Sequence, residues 1–96
     1  MTGSDRIPYV TSREEVSDEG RHHFDSVAES RGSVQGPFSV LMNSPEIASR
    51  VGHLGAYIRF ESELPDEIRE LAILTTSRAL DCPYEWVAHA PIARDA

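Results

Sequence analysis

The fold and the chemistry are decided by the segment ELAILTTSRALDCPYEWVAH, which spans residues 70–89. It holds the only cysteine and the only tryptophan of the chain. Cys82-Pro83 predicts a helix start, because proline has the backbone angle of the first helical position and needs no N–H partner there. The apolar residues before it keep helical spacing. The segment therefore predicts two antiparallel helices joined by a turn near Asp81.

Four side chains of this helix pair are candidates for chemistry. On a helix that begins at Pro83, Glu85 and His89 lie at i and i+4 and share a face. Cys82 lies one turn before Glu85, and the hairpin brings Glu70 back towards the level of His89. One thiol, one imidazole and two carboxylates are therefore expected to converge, a set suited to general acid–base or thiol chemistry.

Structural explanations of the same residues stay open. A Glu–His pair at i and i+4 is common on solvated helix faces, and a lone cysteine is usually a small buried hydrophobe. Glu70 could lie at the helix edge in a salt bridge with Arg69 or Arg78. As a metal site, Glu85 and His89 give two ligands with Glu70 as a third, and no further Cys or His completes the set. We therefore expect neither a metal nor a cofactor.

The whole chain predicts an all-α protein, a bundle of about four helices preceded by an extended N-terminal arm at residues 1–16. The arm is predicted because proline at position 8 biases Ile7 away from the helical region. Residues 17–96 are expected to form one helical domain. Capping residues and prolines predict its helices over about 18–31, 45–61, 65–80 and 83–94, with a short helical turn in the connector at 32–43.

Apolar spacing on these helices predicts which faces are buried. Ile47, Val51, Leu54 and Ile58 form one stripe on the second helix. The third helix is apolar nearly all round, which predicts burial on every side. In a chain of 96 residues, burial of that extent suggests contacts between subunits.

Composition excludes several classes of function. The formal net charge of -7 argues against nucleic acid or an anionic membrane as the partner. All nine basic residues are arginine, so a catalytic lysine is excluded. One cysteine allows no internal disulfide, and the N-terminus lacks the apolar region of a secretory signal. We therefore expect a cytoplasmic protein that acts on a small molecule.

The chain resembles the carboxymuconolactone decarboxylase-like superfamily, which includes the alkylhydroperoxidase D-type proteins. The most specific parts of the likeness are Glu70-Leu71-Ala72-Ile73-Leu74 and Cys82-x-x-Glu85-Trp86-x-x-His89, supported by weaker blocks that begin at Arg6. The resemblance implies an all-helical domain that assembles into homo-oligomers, trimers or hexamers, with sites near subunit contacts. Family domains continue with further helices after this histidine, so we expect C-terminal helices to be missing here.

The resemblance also implies roles for the four candidates. Glu70, Cys82 and His89 match the glutamate, first cysteine and histidine of the alkylhydroperoxidase D-type proton relay. Glu85 occupies the position of the second cysteine, so the two-thiol cycle cannot run. The decarboxylase branch is similar instead at Glu85-x-x-x-His89, a pair suited to proton transfer on a lactone acid.

Three functions follow as hypotheses. The first is an acid–base enzyme of the decarboxylase type that acts on a small organic acid or lactone, with His89 as proton carrier, Glu70 and Glu85 as its tuning partners and Cys82 as an auxiliary. The second is a one-cysteine peroxide reductase, or peroxiredoxin-like enzyme, in which Cys82 attacks peroxide. The third is an inactive assembly subunit or fragment.

Overall fold

A computed structural model describes residues 6–96, so the first five residues of the predicted arm lie outside the described residues. Over residues 6–96 the secondary structure consists of helices and turns without a strand. The predicted all-α class is confirmed. The α-helices are α1 (Arg21–Arg31), α2 (Pro37–Leu41), α3 (Pro45–Phe60), α4 (Asp66–Ala79) and α5 (Pro83–Asp95).

Proline and glycine set most of the helix boundaries. Proline opens α2, α3 and α5, since its missing N–H is one that the first turn leaves unpaired in any residue. Gly32 ends α1 in the left-handed conformation, at φ 84°, which costs glycine least. The first helix starts later than predicted, because residues 18–20 form a 3-10 turn, a common lead into an α-helix.

The chain divides into two compact units, Met1–Tyr57 and Ile58–Ala96, which are described separately. The core of the first unit is built from four valines, two phenylalanines, a methionine and an alanine. They come from the N-terminal arm, from α1, α2 and α3, and from the segments that connect these helices. The N–H of Val10 donates to the carbonyl of Ser39 at 2.8 Å, and the side chain of Asn43 donates to the carbonyl of Pro8 at 2.8 Å. These bonds hold the arm against α2 and the turn after it. The end of the arm at residue 16 stays a prediction.

The first unit corrects the predicted stripe on α3. Ile47, Val51 and Leu54 are 53%, 40% and 60% exposed, whereas Ala48 is fully buried and Gly52 is buried. The helices approach one another at the small residues. A Cβ atom at Gly52 would lie 3.5 Å from the side chains of Val27 and Phe38. The buried face of α3 carries small side chains because they allow close helix packing. The larger apolar residues lie on the exposed face.

The second unit contains the packed pair of α4 and α5. After α4 the chain turns through Asp81 at φ 54°, a conformation that Asp tolerates better than most residues. The N–H of Cys82 then donates to the carbonyl of Ser77 at 2.7 Å, which closes the turn. The predicted hairpin therefore turns at the expected residue.

The expected burial of α4 on all sides is wrong for the single chain. Its buried residues are Arg69, Glu70 and Ser77, while Ile68 and Leu71 are 48% and 61% exposed. Burial follows the face that meets α5 and leaves the apolar faces outside. In the described part of the chain, no helix has both the length and the apolar character needed to cross a membrane.

Candidate active site

The centre of the candidate site is a contact between Glu70 on α4 and His89 on α5. Oε1 of Glu70 lies 2.7 Å from Nδ1 of His89. The Glu70 side chain is 1% exposed and that of His89 is 16% exposed. A carboxylate and an imidazole at this distance share a short, charge-assisted hydrogen bond when the imidazole ring carries the Nδ1 proton.

Arg69 holds the other side of the Glu70 carboxylate. Its Nε donates to Oε2 of Glu70 at 2.9 Å, and its Nη1 donates to Asp66 at 3.0 Å and to the carbonyl of Arg59 at 3.1 Å. The Arg69 side chain is 9% exposed. The sequence left open whether Glu70 belongs to the site or forms a salt bridge at the helix edge. The salt bridge with Arg69 is present, but it is buried and lies beside the contact with His89.

The environment keeps Glu70 ionised. Burial is the largest single influence and would raise the pKa of this carboxyl group, but the hydrogen bonds from Arg69 and His89 and the charges of both residues together outweigh it. The pKa of Glu70 is therefore lowered from its ordinary value of 4.5. The same hydrogen bond to Glu70, opposed by burial, raises the pKa of Arg69, so this guanidinium stays charged.

Glu85 occupies the opposite side of the imidazole ring. Its Oε2 lies 3.5 Å from Nε2 of His89, one helical turn along α5, and its side chain is 34% exposed. This distance fits an ion pair and is long for a hydrogen bond. His89 therefore has a carboxylate beside each ring nitrogen, one buried and one partly exposed. Such an arrangement can hold a proton at Nδ1 and exchange a second one at Nε2.

Cys82 lies next to this group without joining it. Among the hydrogen bonds and ion pairs of residues 6–96, none links its thiol to Glu70 or His89. Cys82 and Glu85 instead line a groove of about 380 Å³ whose wall is the face of α4 from Ala72 to Ser77, together with Leu80 just after the helix. Cys82 is half-buried there and precedes the first turn of α5. The structure thus joins Glu70, His89 and Glu85 directly, and the fourth candidate, Cys82, lines the groove together with Glu85.

Arg69 is the residue whose importance the sequence did not reveal. Its position beside Glu70 allowed an ordinary surface pair, and nothing in the helical spacing indicated that a charged side chain would be buried. Its three acceptors, Glu70, Asp66 and the carbonyl of Arg59, surround it only in the folded structure. Across residues 6–96, no group of three or more Cys, His, Asp or Glu side chains is arranged to hold a metal ion.

The ionised, buried state of Glu70 makes stability depend on pH. Because its pKa is lower in the folded chain than the ordinary 4.5, its contribution is fully present above about pH 4.5 and is lost as the pH falls through the folded value. We expect the free energy of unfolding, measured by chemical denaturation, to fall on acidification in this window.

Glu70→Gln is expected to flatten that fall, and the matched control is Glu67→Gln, which removes an exposed carboxylate from the same helix. An acid dependence in Glu70→Gln as steep as that of the wild-type chain would show that Glu70 does not cause it.

One comparison with known proteins gives a match. The model of the carboxymuconolactone decarboxylase family matches residues 45–96, a range that includes Glu70, Cys82, Glu85 and His89. No curated protein and no solved structure matches the chain.

Proposed function

Because the chain belongs to the carboxymuconolactone decarboxylase family, we propose that it is a cytoplasmic acid–base enzyme of the decarboxylase type. Its substrate is a small organic acid or lactone. The observation that carries this proposal is the position of His89 between two carboxylates, with Glu70 at 2.7 Å from Nδ1 and Glu85 at 3.5 Å from Nε2.

The two carboxylates have different tasks in this proposal. Glu70 is buried and ionised, so it holds the Nδ1 proton of His89 and stabilises the imidazolium form. Glu85 both faces Nε2 and lines the groove, so it is the group that passes a proton between His89 and a bound molecule. A histidine held in this way can take up or release a proton at Nε2 while Nδ1 stays hydrogen-bonded to Glu70.

The groove is the proposed substrate site. Its volume of about 380 Å³ lies within the range of small-molecule pockets, and its wall is largely aliphatic. In decarboxylation the bond to the carboxylate carbon breaks, CO₂ leaves, and the electron pair stays on the substrate carbon. Proton delivery to that carbon by the Glu85–His89 pair completes the reaction, and water returns the proton to the pair.

A carboxymuconolactone-type substrate tests this proposal. We expect turnover by the wild-type protein and by Cys82→Ser, and loss of turnover in His89→Ala. Lactone turnover that disappears in Cys82→Ser would contradict an auxiliary role for the thiol. Absence of turnover with lactones and with peroxide alike would favour an inactive assembly subunit.

A peroxide reductase is the second candidate, because Cys82 lines the same groove. The Cys82 thiolate would attack one oxygen of a hydroperoxide, the O–O bond would break, and the leaving alkoxide would take a proton from the Glu85–His89 pair. The resulting sulfenic acid would be reduced by two equivalents of an external thiol, through a mixed disulfide. Thiol-dependent peroxide consumption that Cys82→Ser abolishes would support this candidate over the first.

We also propose that the protein acts as a homo-oligomer, a trimer or a hexamer. Large apolar side chains are exposed on α3, α4 and α5, among them Leu54, Leu71 and Val87 at 60%, 61% and 70%. Exposed apolar surface of this kind is typical of contacts between chains.

Sedimentation equilibrium is expected to give the mass of three or six chains. Leu71→Asp is expected to shift the distribution towards smaller species, because a carboxylate would be buried in the contact. A monomer at micromolar concentration would contradict the proposal.

A further inference from the structure

The geometry around Glu70 points to Arg69 as a positioning residue. The two oxygens of the Glu70 carboxylate have different partners: Oε2 accepts from Arg69 and Oε1 faces Nδ1 of His89. The rotation of the carboxylate is therefore fixed from both sides. Without a donor at Oε2, the carboxylate could turn about its terminal bond and leave His89.

Arg69 is itself held in place by groups other than Glu70. Asp66 and the carbonyl of Arg59 both accept from Nη1, and the guanidinium is nearly as buried as the carboxylate that it contacts. A planar guanidinium is suited to such a role, because its donors point in fixed directions and it stays charged at any physiological pH.

We propose that Arg69 orients the Glu70 carboxylate towards His89 and sets the pH at which the Glu70–His89 pair takes up a proton. This inference rests on the proposed acid–base function and goes further, because it assigns control of the proton carrier to a residue that does not contact the groove.

The sign of the effect follows from the charges around the pair. Glu70, Arg69 and Asp66 face it from α4, and Glu85 faces it from α5. The carbonyl of Arg59, near the end of α3, accepts a hydrogen bond from Arg69. Arg69 is the one permanent cation of this group, and a cation disfavours the uptake of a further proton. Removing its charge therefore raises the pH at which the pair is half protonated.

Histidine ring signals in an NMR pH titration measure this midpoint, and His89→Asn identifies the signal of His89. In Arg69→Gln, which keeps an N–H donor but loses the charge, we expect the midpoint to rise by about 1 pH unit. Arg69→Lys keeps the charge and is expected to stay closer to the wild-type midpoint than Arg69→Gln. The matched control is Arg50→Gln, because Arg50 pairs with Glu46 on α3 at an exposed position.

A second variant keeps the proposal testable where Arg69→Gln does not fold. Asp66→Asn removes a carboxylate that is 71% exposed and that partly neutralises the charge of Arg69. The midpoint should therefore fall, by less than it rises in Arg69→Gln. A purely structural role for Arg69 would lower stability in both Arg69 variants without moving the midpoint.

An unmoved midpoint in Arg69→Gln, or in Asp66→Asn if that is the variant that folds, would overturn the proposal. The titration needs no substrate. A shifted midpoint in a protein that turns over no lactone would therefore support the role of Arg69 and contradict only the proposed function.

Discussion

Replacing His89 with alanine is expected to lower kcat on a lactone substrate by about 10²–10⁴-fold, the usual contribution of a positioned acid–base group. The loss is expected because the Nδ1 proton that Glu70 holds and the proton route through Glu85 both require the imidazole ring. KM should change less than kcat, since His89 does not line the groove. The measurement is steady-state turnover at substrate concentrations on both sides of KM.

The control for this variant is His53→Ala. His53 is exposed on α3 and belongs to the first compact unit of the chain, so its removal should leave kcat within error of the wild-type value. Equal losses in the two variants would mean that general damage to the protein, rather than proton transfer, causes the effect.

Replacing Glu70 with alanine is expected to lower the free energy of unfolding by about 3 kcal/mol, because it breaks a buried ion pair and leaves its cation behind. The cost falls at the low end of the range for such pairs, since Arg69 keeps Asp66 and the Arg59 carbonyl as partners. Urea denaturation followed by the fluorescence of Trp86 gives the value.

Two comparisons make this result specific. Glu46→Ala breaks an exposed pair with Arg50 and should change stability much less, because solvent screens that interaction. The double variant Arg69→Met, Glu70→Leu removes both charges and should be more stable than Glu70→Ala. If the double variant loses as much free energy of unfolding as its two single replacements added together, the two residues do not act as a buried pair.

The starts of α3 and α5 and the approach of His89 to Glu70 could be predicted from the sequence. Pro45 and Pro83 mark helix starts by a local rule, and a hairpin that turns at Asp81 must return His89 to the level of Glu70. These predictions depend on residues near one another in the chain or on one turn. They therefore do not need the rest of the fold.

The sequence did not predict which faces of α3 and α4 are buried. The stripe that begins at Ile47 had the right spacing for a core, yet Ala48 and Gly52 are buried in its place, because close helix approach favours small side chains there. The burial of Arg69 was missed for a related reason. Its acceptors on α3 and α4 come together only through tertiary structure, so the spacing of residues along one helix cannot predict them.

The central claim is that Glu70 acts through His89, and a double-mutant cycle on turnover tests it most directly. Residues that work as one unit give losses that do not add. We expect Glu70→Gln to lower kcat in the wild-type background and to have no further effect in a His89→Ala background. Losses that multiply in the double variant would mean that the two residues act independently, and would contradict the account.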